Sequence, residues 1–137
     1  MKYLLDTNIV SELVSAKPNA KVIKWFNLIP TSAFYLSVLT LGEIRKGIEK
    51  VNDQRRKHKL LIWLEHELVD QFDHRILPIS LEVADRWGRL LSQTNRTLPA
   101  IDGLLAATAL HHDMTLVTRN VGDFLDCANL EIINPWE

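Results

Sequence analysis

The sequence predicts an α/β sandwich with a mostly parallel central sheet covered by helices on both faces. Three observations predict it. Short apolar runs alternate with helical periods along the whole chain, the pattern of successive strand–helix units. The segment at residues 100–111 is apolar nearly all round, which marks a buried helix. No internal repeat, low-complexity tract or linker divides the 137 residues, a length that suits a single domain over 1–137.

The elements follow in order. Residues 2–5 are apolar and read as a buried strand. Thr7 or Asn8 then offers an N-cap for a helix to residue 14. Pro18-Asn19 ends that helix and starts another, in which Val22, Phe26 and Ile29 share one face. After Pro30-Thr31-Ser32 comes a β-rich strand, residues 34–38, and Thr40 opens a helix toward Lys50. A longer helix at 55–72 carries Leu60, Leu61, Leu64 and Leu68 on its apolar side. A strand at 76–79 precedes a helix capped by Ser80, with Val83 and Trp87 facing inward. Pro99 suits the first turn of the buried helix. Strands at 115–118 and 131–133 complete the chain.

Composition excludes several classes. Hydrophobic residues make up 47% and charged residues 24%, as in ordinary globular proteins. The single cysteine, Cys127, cannot form an internal disulfide and suits a reducing compartment. No apolar run approaches the roughly 18 residues of a membrane span, and the first ten residues do not resemble a signal peptide. The expected location is the cytoplasm, with no membrane partner. The net charge of −1 does not announce a nucleic-acid binder. Yet residues 45–59 concentrate Arg45, Lys46, Lys50, Arg55, Arg56, Lys57 and Lys59 against only Glu49 and Asp53. That segment is either a solvated helix face or a patch that steers phosphates.

The chemistry lies in the acids. Asp6 ends the first strand, and Glu43 and Asp102 are placed in the first turns of their helices. Asn120 and Asp123 follow the strand at 115–118. In an open parallel sheet, groups beyond the carboxyl ends of strands gather at one edge. Two carboxylates about 4 Å apart repel by roughly 4 kcal/mol at an effective dielectric of 20. Such a cluster therefore raises its pKa values or binds a cation. Oxygen ligands suit Mg²⁺ or Mn²⁺, and the His111-His112 pair lacks zinc-ligand spacing. Each acid also has a plain structural use. Asp6 can cap a helix, Glu43 can complete a Thr40-x-x-Glu43 capping box, and Asp102 can answer the helix dipole. Asp123 can be a loop acid. Asp102 is hardest to explain away, because it interrupts an otherwise apolar helix. The four tryptophans read as core or interface anchors.

These motifs resemble a known family. Leu4-Leu5-Asp6-Thr7-Asn8, residues 37–47 (SVLTLGEIRKG), residues 100–109 (AIDGLLAATA), residues 118–124 (TRNVGDF) and the closing Asn134-Pro135-Trp136 together resemble PIN-domain toxins of the VapC type, and the FitB subgroup in particular. The resemblance implies a PIN-like three-layer sandwich and a homodimer. It also implies a toxin that hydrolyses RNA with Mg²⁺ or Mn²⁺ and is neutralised by a small DNA-binding, VapB-like antitoxin, which links it indirectly to operator DNA. By position, Asp6, Glu43 and Asp102 match the family's first three acids, with Asp6 and Asp102 as direct metal ligands. Thr118 matches a hydroxyl found beside the site. The fourth corner departs, because Asn120 stands where some relatives carry Asp, while Asp123 matches the acid of others. One tightly held ion follows, with a second arriving with substrate. The alternatives are an antitoxin-binding corepressor with weak catalysis and a housekeeping PIN nuclease without an antitoxin. An unrelated nucleotide-binding domain is disfavoured, since no GxGxxG or GxxxxGK[ST] motif occurs.

Overall fold

The structure, a computed structural model, describes residues 1–137. Its centre is a five-stranded sheet in the order β3-β2-β1-β4-β5. The strands are β1 (Tyr3–Leu5), β2 (Phe34–Ser37), β3 (Ile76–Leu77), β4 (Thr115–Val117) and β5 (Ile132–Ile133), and every pair is parallel.

Side chains alternate across the central strand, so consecutive leucines enter different layers. Leu5 joins Phe34, Leu36 and Val117 on one face. That face is covered by α1 (Thr7–Leu13), α2 (Ala20–Asn27), α3 (Val38–Glu49) and the helical rod that begins with α4 (Gln54–Ile62) and ends with α5 (Val69–Phe72). Leu4 joins Leu116 on the other face, under α6 (Leu81–Gln93) and α7 (Ala100–His111). Leu4, Leu5, Leu36 and Leu116 are each wholly buried, which contributes about 1.5–3 kcal/mol apiece. No helix is long and apolar enough to cross a membrane.

The strand order creates the site. From β1 the chain moves outward through β2 to β3, then returns to the other side of β1 as β4. The switch point of the sheet therefore lies between β1 and β4, where a crevice opens beyond the strands' carboxyl ends.

Several local expectations shift. The cap of α1 is Asp6, the plain structural use its position allowed, rather than Thr7 or Asn8. Helix α3 starts at Val38, because Ser37 ends β2 and also accepts the Leu39 N–H at 3.0 Å. Glu43 therefore stands in the second turn. Thr40 is buried inside the helix, so the Thr40–Glu43 capping box does not form. Pro99 precedes α7 as its capping residue instead of opening its first turn. The long helix at 54–72 contains a six-residue π-helical stretch, Trp63–Leu68, with Leu64 and Leu68 both buried. Helix α7 is buried as expected, with Gly103 and residues 105–109 inaccessible.

Candidate active site

Asp6 leaves β1 with its backbone still in the sheet, its N–H donating to the Val117 carbonyl at 2.9 Å. Its extended backbone at the start of α1 turns the carboxylate back onto the helix, where Oδ1 accepts the Thr7 N–H at 2.7 Å. Oδ2 accepts the Thr118 hydroxyl at 2.8 Å and the Asn8 side-chain amide at 3.4 Å. Thr118, wholly buried at the end of β4, is saturated. Its oxygen accepts the Asn8 amide at 3.3 Å and the Asn120 N–H at 3.0 Å, so its proton is committed to Asp6. Asn8 in turn accepts the Arg119 N–H at 3.3 Å. One network thus spans the switch point and fixes the Asp6 carboxylate. Thr7, the next residue, donates its hydroxyl to Glu43 Oε1 at 2.6 Å and ties α3 to the same corner.

Asp102 is held differently. It occupies the first turn of α7, partly buried, and its carboxyl accepts no hydrogen bond. Burial pushes its pKa up, and Asp6, Asp123 and Glu43 push it further. The Asp6 pKa is also raised, first by burial. The bonds from Thr118 and Thr7 oppose that rise, and Glu43 and Asp123 add to it. The four acids therefore share one field, and no basic side chain offsets either raised carboxyl.

The fourth corner divides into two roles. Asn120 enters the network through its backbone N–H, and its side chain makes no hydrogen bond. Asp123 lies in the 3₁₀ turn Val121–Phe124 and acts on both Asp6 and Asp102. That turn is braced by Arg96, which bonds the Gly122 carbonyl at 2.9 Å and pairs with Asp126 at 2.6 Å. The closing motif braces the other end. Asn134 donates to the Arg119 carbonyl at 3.4 Å, and Trp136 lies under the Arg119 guanidinium at 5.1 Å.

Sequence reasoning missed Thr7, Asn8 and Arg96 as parts of the site. The first two were visible as neighbours of Asp6, but a polar residue after a strand reads equally as a cap. Arg96 left no signal, because its partners are loop groups 26 and 30 residues away.

The donor set suits a hard cation. Carboxylates with raised pKa values and no counter-charge gain most from a divalent ion. No three acidic, histidine or cysteine side chains are placed to hold a metal ion together, so Asp6, Glu43 and Asp102 do not form a ready three-ligand site. A separate groove of about 310 Å³ is lined chiefly by apolar residues of α1, α2 and the 54–72 rod, including Leu13, Ile23, Phe26, Trp63 and Phe72.

Residues 3–128 match the family model described as "PIN domain". The chain belongs to the PIN-domain family. This PIN domain is 35% identical over 136 residues to "Toxin FitB" of Neisseria gonorrhoeae, covering 97% of each chain. It is 34% identical over 137 residues to "VapC ribonuclease Y4jK" of Sinorhizobium fredii, covering 98% of this chain and 97% of that one. The PIN fold also superposes on a solved structure of FitAB bound to an IR36 DNA fragment, with a TM-score of 0.92 and 34% identity. That match covers 98% of this chain and 96% of the other. The three-layer sandwich expected from the sequence is the PIN arrangement.

Proposed function

We propose that this PIN domain, residues 1–137 acting as one domain, is the toxin of a type II toxin–antitoxin pair. We propose that it is an endoribonuclease, hydrolysing RNA phosphodiester bonds with Mg²⁺ or Mn²⁺ in the cytoplasm. The observation that carries this reading is the pair of raised, uncompensated carboxyls, Asp6 and Asp102, at the switch point of the sheet. The FitB and VapC ribonuclease relatives support it.

In this reading Asp6 and Asp102 hold the ion, with Glu43 as a ligand or as an acceptor for its waters. A divalent ion held there would supply Lewis acidity toward the phosphoryl group and toward a bound water. The Thr118 hydroxyl keeps one Asp6 oxygen in place, and Thr7 does the same for Glu43. Asp123, with Asn120 beside it, orients the water for in-line attack.

The apolar groove beside α1 fits an amphipathic helix, the usual occupant of such grooves. The solved FitAB complex on DNA supports a small DNA-binding antitoxin as that occupant, with operator DNA reached through it. The protein is read as a homodimer from the same resemblance. Expression without an antitoxin should arrest growth and create new RNA 5′ ends, and Asp6→Ala should abolish both. Arrest that persists in Asp6→Ala without new ends would contradict the nuclease reading. Operator binding tightened by a chain that cleaves no RNA would favour the corepressor.

A further inference from the structure

A groove of about 650 Å³ leaves the acidic site between the start of α1, helix α3 and the start of α7. Thr7 and Glu43 form its near end, Val38 and Ile101 stand among its walls, and Lys46 and Lys50 line it further along α3. Glu43, Lys46 and Lys50 are spaced i, i+3, i+7 and so form one stripe down the helix. The two lysines are one turn apart, about 6 Å along the axis.

Seven basic residues between 45 and 59 look alike in sequence, but the structure sorts them. Arg45 is taken by Glu49 at 3.8 Å and Glu65 at 3.6 Å. Lys57 is taken by Glu49 at 3.5 Å and by the Glu49 carbonyl at 3.3 Å. Arg55, Arg56, Lys59, Lys46 and Lys50 have no acidic partner, and of these only the exposed Lys46 and Lys50 line the groove. A Cβ added at Gly42 or Gly47, which also line it, would meet nothing within 4 Å. Packing does not require either glycine, and each costs the helix about 1 kcal/mol relative to alanine. Val38 and Ile101 are apolar yet 41% and 37% exposed.

We infer that this groove is the track of the substrate strand, in which Lys46 and Lys50 hold phosphates of single-stranded RNA flanking the one cut at the acidic site. The inference rests on the nuclease reading above and adds the direction in which the strand leaves. Charge decides between a nucleic acid and a protein as the occupant. A polyanion satisfies two unpaired lysines one turn apart, whereas a protein face closing over them would have to desolvate both. The acidic end needs cations beside it for the same reason, since the carboxylates alone repel the backbone.

The test compares wild type, the double variant Lys46→Gln/Lys50→Gln, and Lys21→Gln/Lys24→Gln on the distant helix α2 as control. Binding of a mixed-sequence single-stranded oligoribonucleotide is measured in Ca²⁺ across a salt series, cleavage in Mg²⁺, and oligomeric state by sedimentation. The groove variant should lose about 1.4 from the slope of log affinity against log salt, at about 0.7 per phosphate contact. Its KM should rise roughly tenfold with kcat little changed, as expected when uniform binding is removed. The control should match wild type. An unchanged slope and KM in a wild type that does cleave would overturn the groove alone. An altered sedimentation with an unchanged slope would overturn it in favour of a protein occupant. A wild type that binds RNA with the lysine-dependent slope but never cleaves would leave the groove standing and sink the nuclease reading.

Discussion

The two central carboxylates of the site, Asp6 at the β1–α1 corner and Asp102 at the start of α7, are held in different ways. Asp6 accepts three hydrogen bonds, from Thr7, Thr118 and Asn8, within a network that joins two strands. Asp102 accepts none and is shaped only by burial and by its acidic neighbours. The β1–α1 corner is preorganised by the protein, and the α7 corner waits for something positive. A residue that the fold leaves repelled and unpartnered is stability given up for function.

The comparison breaks most visibly under charge removal. Asp102→Asn should lower RNA cleavage by roughly 100- to 1,000-fold, the scale of losing one charged stabiliser of a transition state. The same change should raise the melting temperature in EDTA, since it deletes a repelled carboxylate. Asp6→Ala should abolish cleavage equally but lower the melting temperature, because it removes an N-cap worth about 1 kcal/mol and strands three donors. If both variants shift stability in one direction, the contrast between the corners is wrong.

Thr118→Val probes the network itself. The substitution keeps the shape, leaves Asp6, Asn8 and the Asn120 N–H without their shared partner, and should cost about 1–3 kcal/mol. Activity should fall about 10- to 100-fold, as for other groups that orient a metal ligand. Chemical denaturation and steady-state cleavage read the two effects separately.

pH sharpens the comparison further. Folding raises the pKa of Asp6 and Asp102 above the ordinary 3.8. A raised carboxyl favours the folded state in its protonated form. Metal-free stability is therefore full below the ordinary value and falls as pH climbs through the raised ones. A divalent ion reverses this by favouring the charged forms. The melting-temperature gain from saturating Mg²⁺ should grow as pH climbs above the ordinary carboxylate value through the raised ones. A gain independent of pH would place the ion elsewhere.

The smallest effect is expected at the fourth corner. Asn120→Ala keeps the backbone N–H that bonds Thr118 and should change stability by no more than about 0.5 kcal/mol. Asp123→Asn removes a charge felt by both central acids and should reduce cleavage more than Asn120→Ala does. The reverse order would make the Asn120 side chain the working group.

Much of this was legible in the chain. Alternating apolar runs gave the strands, and the unbroken apolar circumference of α7 made Asp102 stand out. What failed was local. Thr40 and Glu43 have the spacing of a capping box, but Ser37 takes the cap because β2 runs straight into α3. The basic run at 45–59 reads as uniform in sequence. Only tertiary contacts separate Arg45 and Lys57, bound to acids, from Lys46 and Lys50 in the groove. Arg96 was invisible for the same reason, since its partners meet it only after folding.

The central claim is that Asp6 and Asp102 together hold one divalent ion. Calorimetric titration of Mn²⁺ into the wild type, Asp6→Asn and Asp102→Asn tests it most directly. The account predicts saturable binding of one tightly held ion per chain in the wild type and its loss in both variants. Undiminished Mn²⁺ binding by a folded Asp102→Asn protein would contradict it.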